Sequence, residues 1–277
     1  MRAFLLLLVL IAAALPAAPA VAAPVPEPPL LPGAPAPRLR GELAMRTYSL
    51  DLYRLRGSLD ARTVQALGLL AEQAIVSNTL EIGSGLAGRV AVRFEPPQRG
   101  PCALRGVTYS AERTIRLFYA PDADPERVLA VLAHELFHQQ QRDYYGERAH
   151  RRADTILLEG MATWGTRAYF RGPDGEPGYR RRVREALAVG QLQPLTTSLE
   201  RDCRTTTRNV LYDQWASFVE FLITTGGRER FDALYRDSRG RPAGSANYRG
   251  VYGKTLAQLE ADWVAWLKSG SRFISRA

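Results

Sequence analysis

Cysteine, lysine and histidine are all scarce in this sequence, and each scarcity narrows what the chain can be. There are two cysteines, Cys102 and Cys203, and neither has the close spacing of a thiolate metal site. No cysteine follows the apolar leader, which argues against lipid attachment there. Lys254 and Lys268 are the only lysines, so the formal net charge of +9 rests on arginine. The sequence has no glycine-rich nucleotide loop and no internal repeat. Its apolar run at residues 4–14 is too short for a comfortable membrane span. Histidines number three, and two of them fall in one five-residue stretch.

Residues 1–22 read as a secretory signal peptide: Met1-Arg2, an apolar core, and a small-x-small cleavage site at Ala20-Val21-Ala22. Residues 23–42, rich in proline and alanine, read as an extended linker. Residues 43–277 suit one medium-sized domain of two lobes. The mature chain is expected to be secreted, extracellular or periplasmic, with no transmembrane segment. In that compartment an even cysteine count favours a Cys102–Cys203 bond over two buried thiols. Arginine clusters at residues 148–152 and 180–184 read first as a solvated basic surface. Their second reading is attraction to an anionic envelope surface or an acidic substrate. Nucleic acid is not an expected partner, because no binding motif accompanies the charge. His150 lies in the first cluster and reads as a surface residue.

The chemistry concentrates in Val131-Leu132-Ala133-His134-Glu135-Leu136-Phe137-His138. Positions i and i+4 of a helix lie about 40° apart on one face, so His134 and His138 can reach one ion. Glu135 is turned about 100° from His134 and would flank that ion, where a general base belongs. Asp124-Pro125 supplies an N-cap and a first-turn proline, and residues 127–141 then run without Gly or Pro. Leu129, Leu132 and Leu136 fall opposite the histidines, with Val128 and Val131 beside them, so the helix reads as buried. Two histidines and a glutamate buried without partners would cost several kcal/mol, roughly the price of unsatisfied polar groups. A metal removes that cost. A third ligand is expected 21 positions on, at Glu159, after a turn over residues 143–152 and on a new helix over residues 154–170. Gly160 and Ala162 would let that helix approach the first. Two histidines and one glutamate leave a position open for water, the catalytic rather than the structural arrangement of zinc.

His134-Glu135-x-x-His138 with Glu159-Gly160-Met161-Ala162 resembles the gluzincin metallopeptidases, the group that includes thermolysin and aminopeptidase N. The stretch from Tyr212 to Leu222, ending at Gly226-Gly227, looks like the helix that follows the zinc helices in the aminopeptidase N branch. There a tyrosine hydrogen-bonds the oxyanion, and the matching residue is Tyr212. Residues 253–263 are similar to the closing helix of small bacterial peptidase-MA-like proteins. The resemblance implies a thermolysin-like two-lobed fold, one catalytic Zn2+ held by His134, His138 and Glu159, Glu135 as general base, and a peptide or protein substrate. Two departures matter. Residues 114–119 lack the Gly-x-Met-Glu-Asn stretch that holds a free amine, which argues against aminopeptidase activity. Thermolysin-like relatives carry an aspartate where this chain has Thr163, so Asp154 or a backbone carbonyl is the expected partner of a ligand.

The remaining pattern is α+β, a small mixed β-sheet followed by a helical lobe. Alternation at Tyr48, Leu50 and Leu52 predicts a strand over residues 46–53. Val64, Leu67, Leu70 and Ile75 predict a helix over residues 59–80, stopped at Gly83. A strand follows over residues 89–94, then a hairpin of residues 106–109 and 113–119 across Ser110-Ala111-Glu112. The second of those strands is the expected rim of the substrate cleft. Two functions fit: a secreted zinc peptidase, or a non-catalytic zinc-containing envelope-binding or scaffolding protein derived from a peptidase fold. Glu135 favours the first, since a structural site needs no carboxylate there. The loops at residues 172–178 and 191–209 carry no substrate signature.

Overall fold

A computed structural model describes residues 30–32 and 35–269. The signal-peptide reading lies outside them. The fold is mixed α and β: a five-stranded sheet, then helices. The strands are β1 (Glu42–Arg46), β2 (Leu50–Arg54), β3 (Val90–Glu95), β4 (Gly106–Tyr109) and β5 (Thr114–Phe118). Their order is β1-β2-β3-β5-β4, with β2, β3 and β5 parallel and both edge strands antiparallel to their neighbours. The expected linker is engaged at Leu31, near its middle: the Leu31 amide donates to the Tyr48 carbonyl at 2.8 Å.

The single strand expected over residues 46–53 is two strands and a tight turn. Thr47 makes the turn: its hydroxyl accepts from the Leu50 amide at 3.0 Å. Glu72, on the helix that follows, fastens it, accepting from Thr47 Oγ1 at 2.5 Å and the Ser49 amide at 2.6 Å. Tyr48 is therefore a turn residue facing solvent rather than a core position.

Helix α1 (Ala61–Ile82) starts at Asp60, whose carboxylate accepts from the Thr63 amide, and stops at Gly83 in the left-handed region, φ 92°. Its buried face runs through Val64, Leu67, Ala71, Ile75 and Ile82. Leu70, expected on that face, is exposed, because the helix packs on small residues at Ala71 and Ala74 instead.

Helix α2 (Pro125–Tyr145) joins the two cores. Asp124 caps it through the Glu126 amide, as expected. Val128, Leu132 and Leu136 pack with β2, β3, β5 and α1 in one cluster. Phe137 and Tyr145 belong to a second cluster with the later helices. Each of the fully buried leucines contributes roughly 1.5–3 kcal/mol of burial. With two faces apolar, the remaining face must line a cleft.

After α2 the chain turns through a short helix α3 (Glu147–Arg151) where a plain turn was expected. Helix α4 (Thr155–Gly165) is shorter than the expected residues 154–170 and gives way to a 3-10 turn at Arg167–Tyr169. At its end the Thr166 amide and hydroxyl both donate to the Ala162 carbonyl, at 3.1 and 2.6 Å. Helices α5 (Gly178–Ala188), α6 (Thr205–Gly226), α7 (Arg228–Arg236), α8 (Tyr248–Tyr252) and α9 (Leu256–Lys268) complete the lobe. Gly160 lies against α6, not α2: a Cβ there would sit 2.6 Å from the Trp215 carbonyl. Gly165 makes the approach to α2, against the Phe137 ring. Among the described residues no helix is long and apolar enough to cross a membrane.

Candidate metal centre and cleft

His134, His138 and Glu159 converge, although the helices that carry them, α2 and α4, are separated by α3. The two Nε2 atoms are 3.1 Å apart. Glu159 Oε2 lies 3.3 Å from His134 Nε2 and 3.2 Å from His138 Nε2. An ion with bonds of about 2.0–2.1 Å at tetrahedral angles places neighbouring donors about 3.3 Å apart. The three separations therefore match the edges of one face of such a tetrahedron. Among the described residues no other group of three or more His, Cys, Asp or Glu side chains could hold an ion.

The donor chemistry fits a cation as well as the distances do. Gln141 Nε2 donates to the Leu158 carbonyl at 2.9 Å, which turns its Oε1 toward His138 Nδ1 at 2.8 Å. His138 must therefore carry its proton on Nδ1 when neutral, leaving the Nε2 lone pair for a metal. Burial works against charge on His138, but Glu159, Glu135 and Gln141 outweigh it and carry the pKa up to about 9. Burial likewise works to raise the Glu159 carboxyl, but the two imidazoles hold it well below the usual carboxylate range. Both shifts describe a cluster that binds positive charge.

Gln141 answers what sequence left open. Asp154, one expected partner of a ligand, is engaged elsewhere: it caps α4 and accepts from the Gly244 and Ala246 amides and the Tyr248 hydroxyl. Thr163 Oγ1 is buried in the cleft wall and, among the described residues, has no hydrogen-bond partner. Gln141 sits three residues after His138, one helical turn along the same face, so helix spacing alone could have found it.

Glu135 is buried beside the cluster. Thr108 of β4 places its hydroxyl 2.6 Å from Glu135 Oε2 and 2.9 Å from the Glu135 carbonyl. With one proton to give, the hydroxyl donates to the nearer, charged oxygen. Gly106 lets β4 pass this close: a Cβ there would come 2.6 Å from Glu135 Oε1 and 2.9 Å from Val131 Cγ1. Neither residue was singled out from sequence, since nothing local links residues 106–108 to residue 135. The rim also differs from expectation. β5 is paired on both sides, to β3 and β4, so β4 is the edge strand that borders the cleft.

Tyr212 lies two turns inside α6 and stacks on His134, with ring centroids 5.9 Å apart and planes 16° from parallel. Burial, then the charges of Glu159 and Glu135, push its hydroxyl well above the ordinary tyrosine value, so it remains a proton-bearing donor. Asp213 beside it is clamped by Arg182 of α5 through two hydrogen bonds of 2.5 and 2.6 Å. Cys102 and Cys203 are disulfide-bonded, with Cα atoms 5.1 Å apart. The bond ties the segment leading into β4 to the segment leading into α6. Thr205 N donates to the Pro101 carbonyl at 3.1 Å in the same join.

His150 is not a surface residue. It is buried, with Nδ1 3.2 Å from the Tyr235 hydroxyl and Nε2 3.2 Å from Ser110 Oγ. Burial first, then the positive charges of His138, Arg241 and Arg142, push its pKa down to about 3. These groups border one cleft of about 1150 Å³, whose lining includes all three metal-site residues, Glu135 and Tyr212.

Comparison with family models, with curated proteins and with solved structures finds no match to this chain.

Proposed function

We propose that this protein is an exported zinc-dependent peptidase of the gluzincin kind, with a thermolysin-like order of sheet, zinc helix and ligand helix. The observation that carries the reading is the triangle of His134, His138 and Glu159, with Glu135 and Tyr212 flanking it in one cleft. The disulfide fits an oxidising compartment.

Zinc held by His134, His138 and Glu159 would supply Lewis acidity toward a peptide carbonyl and would acidify a water. Glu135 would take the proton of the attacking water and return it to the departing amine. Thr108 holds the Glu135 carboxylate, fixing its aim. Tyr212 donates a hydrogen bond to the oxygen on which negative charge develops. The free edge of β4 offers backbone groups to an extended peptide. Gln141 keeps His138 in the ligating tautomer throughout.

Metal analysis of the purified, dialysed protein tests the site. About one zinc per chain is expected, lost in His134→Ala/His138→Ala, and full retention by that variant rejects the site. Glu135→Gln is expected to keep zinc and fold while lowering turnover of an unbiased peptide library by about 10²–10⁴-fold. Wild-type turnover in Glu135→Gln removes the general-base role.

A further inference from the structure

The peptidase reading leaves one wall of the cleft without a task. This wall is built from α3, the α7–α8 connection and the turn after β4. His150 joins its parts, bonded to Ser110 on one side and Tyr235 on the other. Arg151 and Arg241 line the cleft here, and both side chains are exposed. Among the described residues neither guanidinium has a carboxylate partner. The Arg241 backbone is fixed in place: Thr155 donates to its carbonyl from both Oγ1, at 2.5 Å, and N, at 3.2 Å. That joins it to the start of α4, just past Arg151.

Two other arginines of the cleft are paired with carboxylates. Arg142 pairs with Glu147 at 3.2 Å and Arg182 with Asp213. Arg105 and Arg127 share the lining with Asp124 and Glu126, so the charge there balances. Arg171 and Arg208 also line the cleft, but their guanidinium groups donate to backbone carbonyls, of Gly175 and of Ala103 and Cys203, so Arg151 and Arg241 hold open donors on the wall around His150, which burial and then the charges of His138, Arg241 and Arg142 keep neutral. Two free guanidinium groups beside a peptide cleft match a carboxylate, which accepts paired N–H donors.

We propose that Arg151 and Arg241 form a carboxylate-recognising subsite that makes this cleft select acidic peptides. The carboxylate is either an Asp or Glu side chain or the free C-terminus of the substrate. An extended polyanion is disfavoured, because Asp124, Glu126, Glu135, Glu147 and Glu159 on the same lining interrupt the positive charge. The inference takes the peptide nature of the ligand from the proposed function, while the two arginines stand on their own placement.

The test uses the full chain and three otherwise identical fluorescent peptides: a blocked peptide containing Glu, its Gln counterpart, and the Gln peptide with a free C-terminus. Affinity is read by anisotropy at low salt, and turnover is read separately. One of the two carboxylate-bearing peptides is expected to bind about tenfold tighter than the blocked Gln peptide. That peptide identifies the source of the carboxylate. Arg151→Gln/Arg241→Gln should erase the preference while binding the neutral peptide as the wild type does. Equal binding of all three peptides overturns the proposal, as does a preference that survives in the double variant. Binding only to an anionic polysaccharide, with none to any peptide, overturns it too. A preference in binding with no cleavage of any peptide upholds the subsite and rejects the peptidase reading.

Discussion

Helix α4 carries two carboxylates, a buried one at its cap and a half-buried one within it, that face opposite kinds of neighbour. Asp154, at its cap, meets four donors: the Ile156 and Gly244 amides on one oxygen, the Ala246 amide and Tyr248 hydroxyl on the other. Every donor is neutral and fixed, and the knot is closed. Burial still pushes the Asp154 carboxyl above its ordinary value. Glu159, little more than one turn on, meets two imidazole nitrogens and a cleft. Its carboxyl is driven the other way, well below the usual range. The contrast separates a carboxylate that organises a fold from one that awaits a cation. Neutral amides complete the first, whereas facing ring nitrogens with lone pairs to share are completed only by positive charge.

The largest expected effect sets the two carboxylates directly against each other. Glu159→Gln should weaken zinc binding by on the order of 10³-fold, with little change in the melting temperature of the metal-free protein. Asp154→Asn should do the reverse, keeping zinc but destabilising the fold by about 2–4 kcal/mol, because its amide would confront the Ala246 N–H. Calorimetry and metal titration on both variants read this out. If both lose zinc and stability together, the two sites are one unit and the distinction fails.

Tyr212→Phe should reduce turnover by about a hundredfold, with zinc content and melting temperature unchanged. A fall in stability with normal turnover would move Tyr212 to the structural side of the comparison. Gln141→Ala should weaken zinc binding by about 10–100-fold through loss of His138 orientation. Unchanged affinity would leave the His138 tautomer to another group.

The effect of His150, nil at neutral pH, appears only in acid. Its pKa in the fold, about 3, lies below the free value of 6.5. The unfolded chain therefore binds the extra proton in that window. The stability this residue permits is present above pH 6.5 and is lost as pH falls toward 3. Denaturant titrations of wild type and His150→Gln should diverge across that range, the variant being less acid-sensitive. Parallel curves would mean that His150 takes up its proton without strain.

Much of the site was legible because its parts obey helical spacing. His134 and His138 share a face by the period of the helix, Asp124-Pro125 marks where that helix begins, and Gly83 marks where α1 ends. Cys102 and Cys203 could be paired because there were only two. Local patterns misled where a side chain redirected the backbone: Thr47 turned an alternating stretch into a hairpin. His150 was misread because a run of arginines around it looks solvated, although its own side chain points inward to Tyr235.

Residue type and spacing by themselves determined which groups can act on an ion, because a helix has a fixed period and His, Glu and Tyr have fixed chemistry. Only the tertiary structure decided what lies across from them. Gly106 and Thr108 reach Glu135 through the antiparallel pairing of β4 with β5, and Gly160 brings α4 onto α6 and so toward Tyr212. Arg151 and Arg241 share a wall only because the α7–α8 connection folds back onto the start of α4. Such contacts join residues 27 to 86 positions apart, and no local pattern encodes them: they exist because two cores packed on opposite faces of α2 leave one polar face between them.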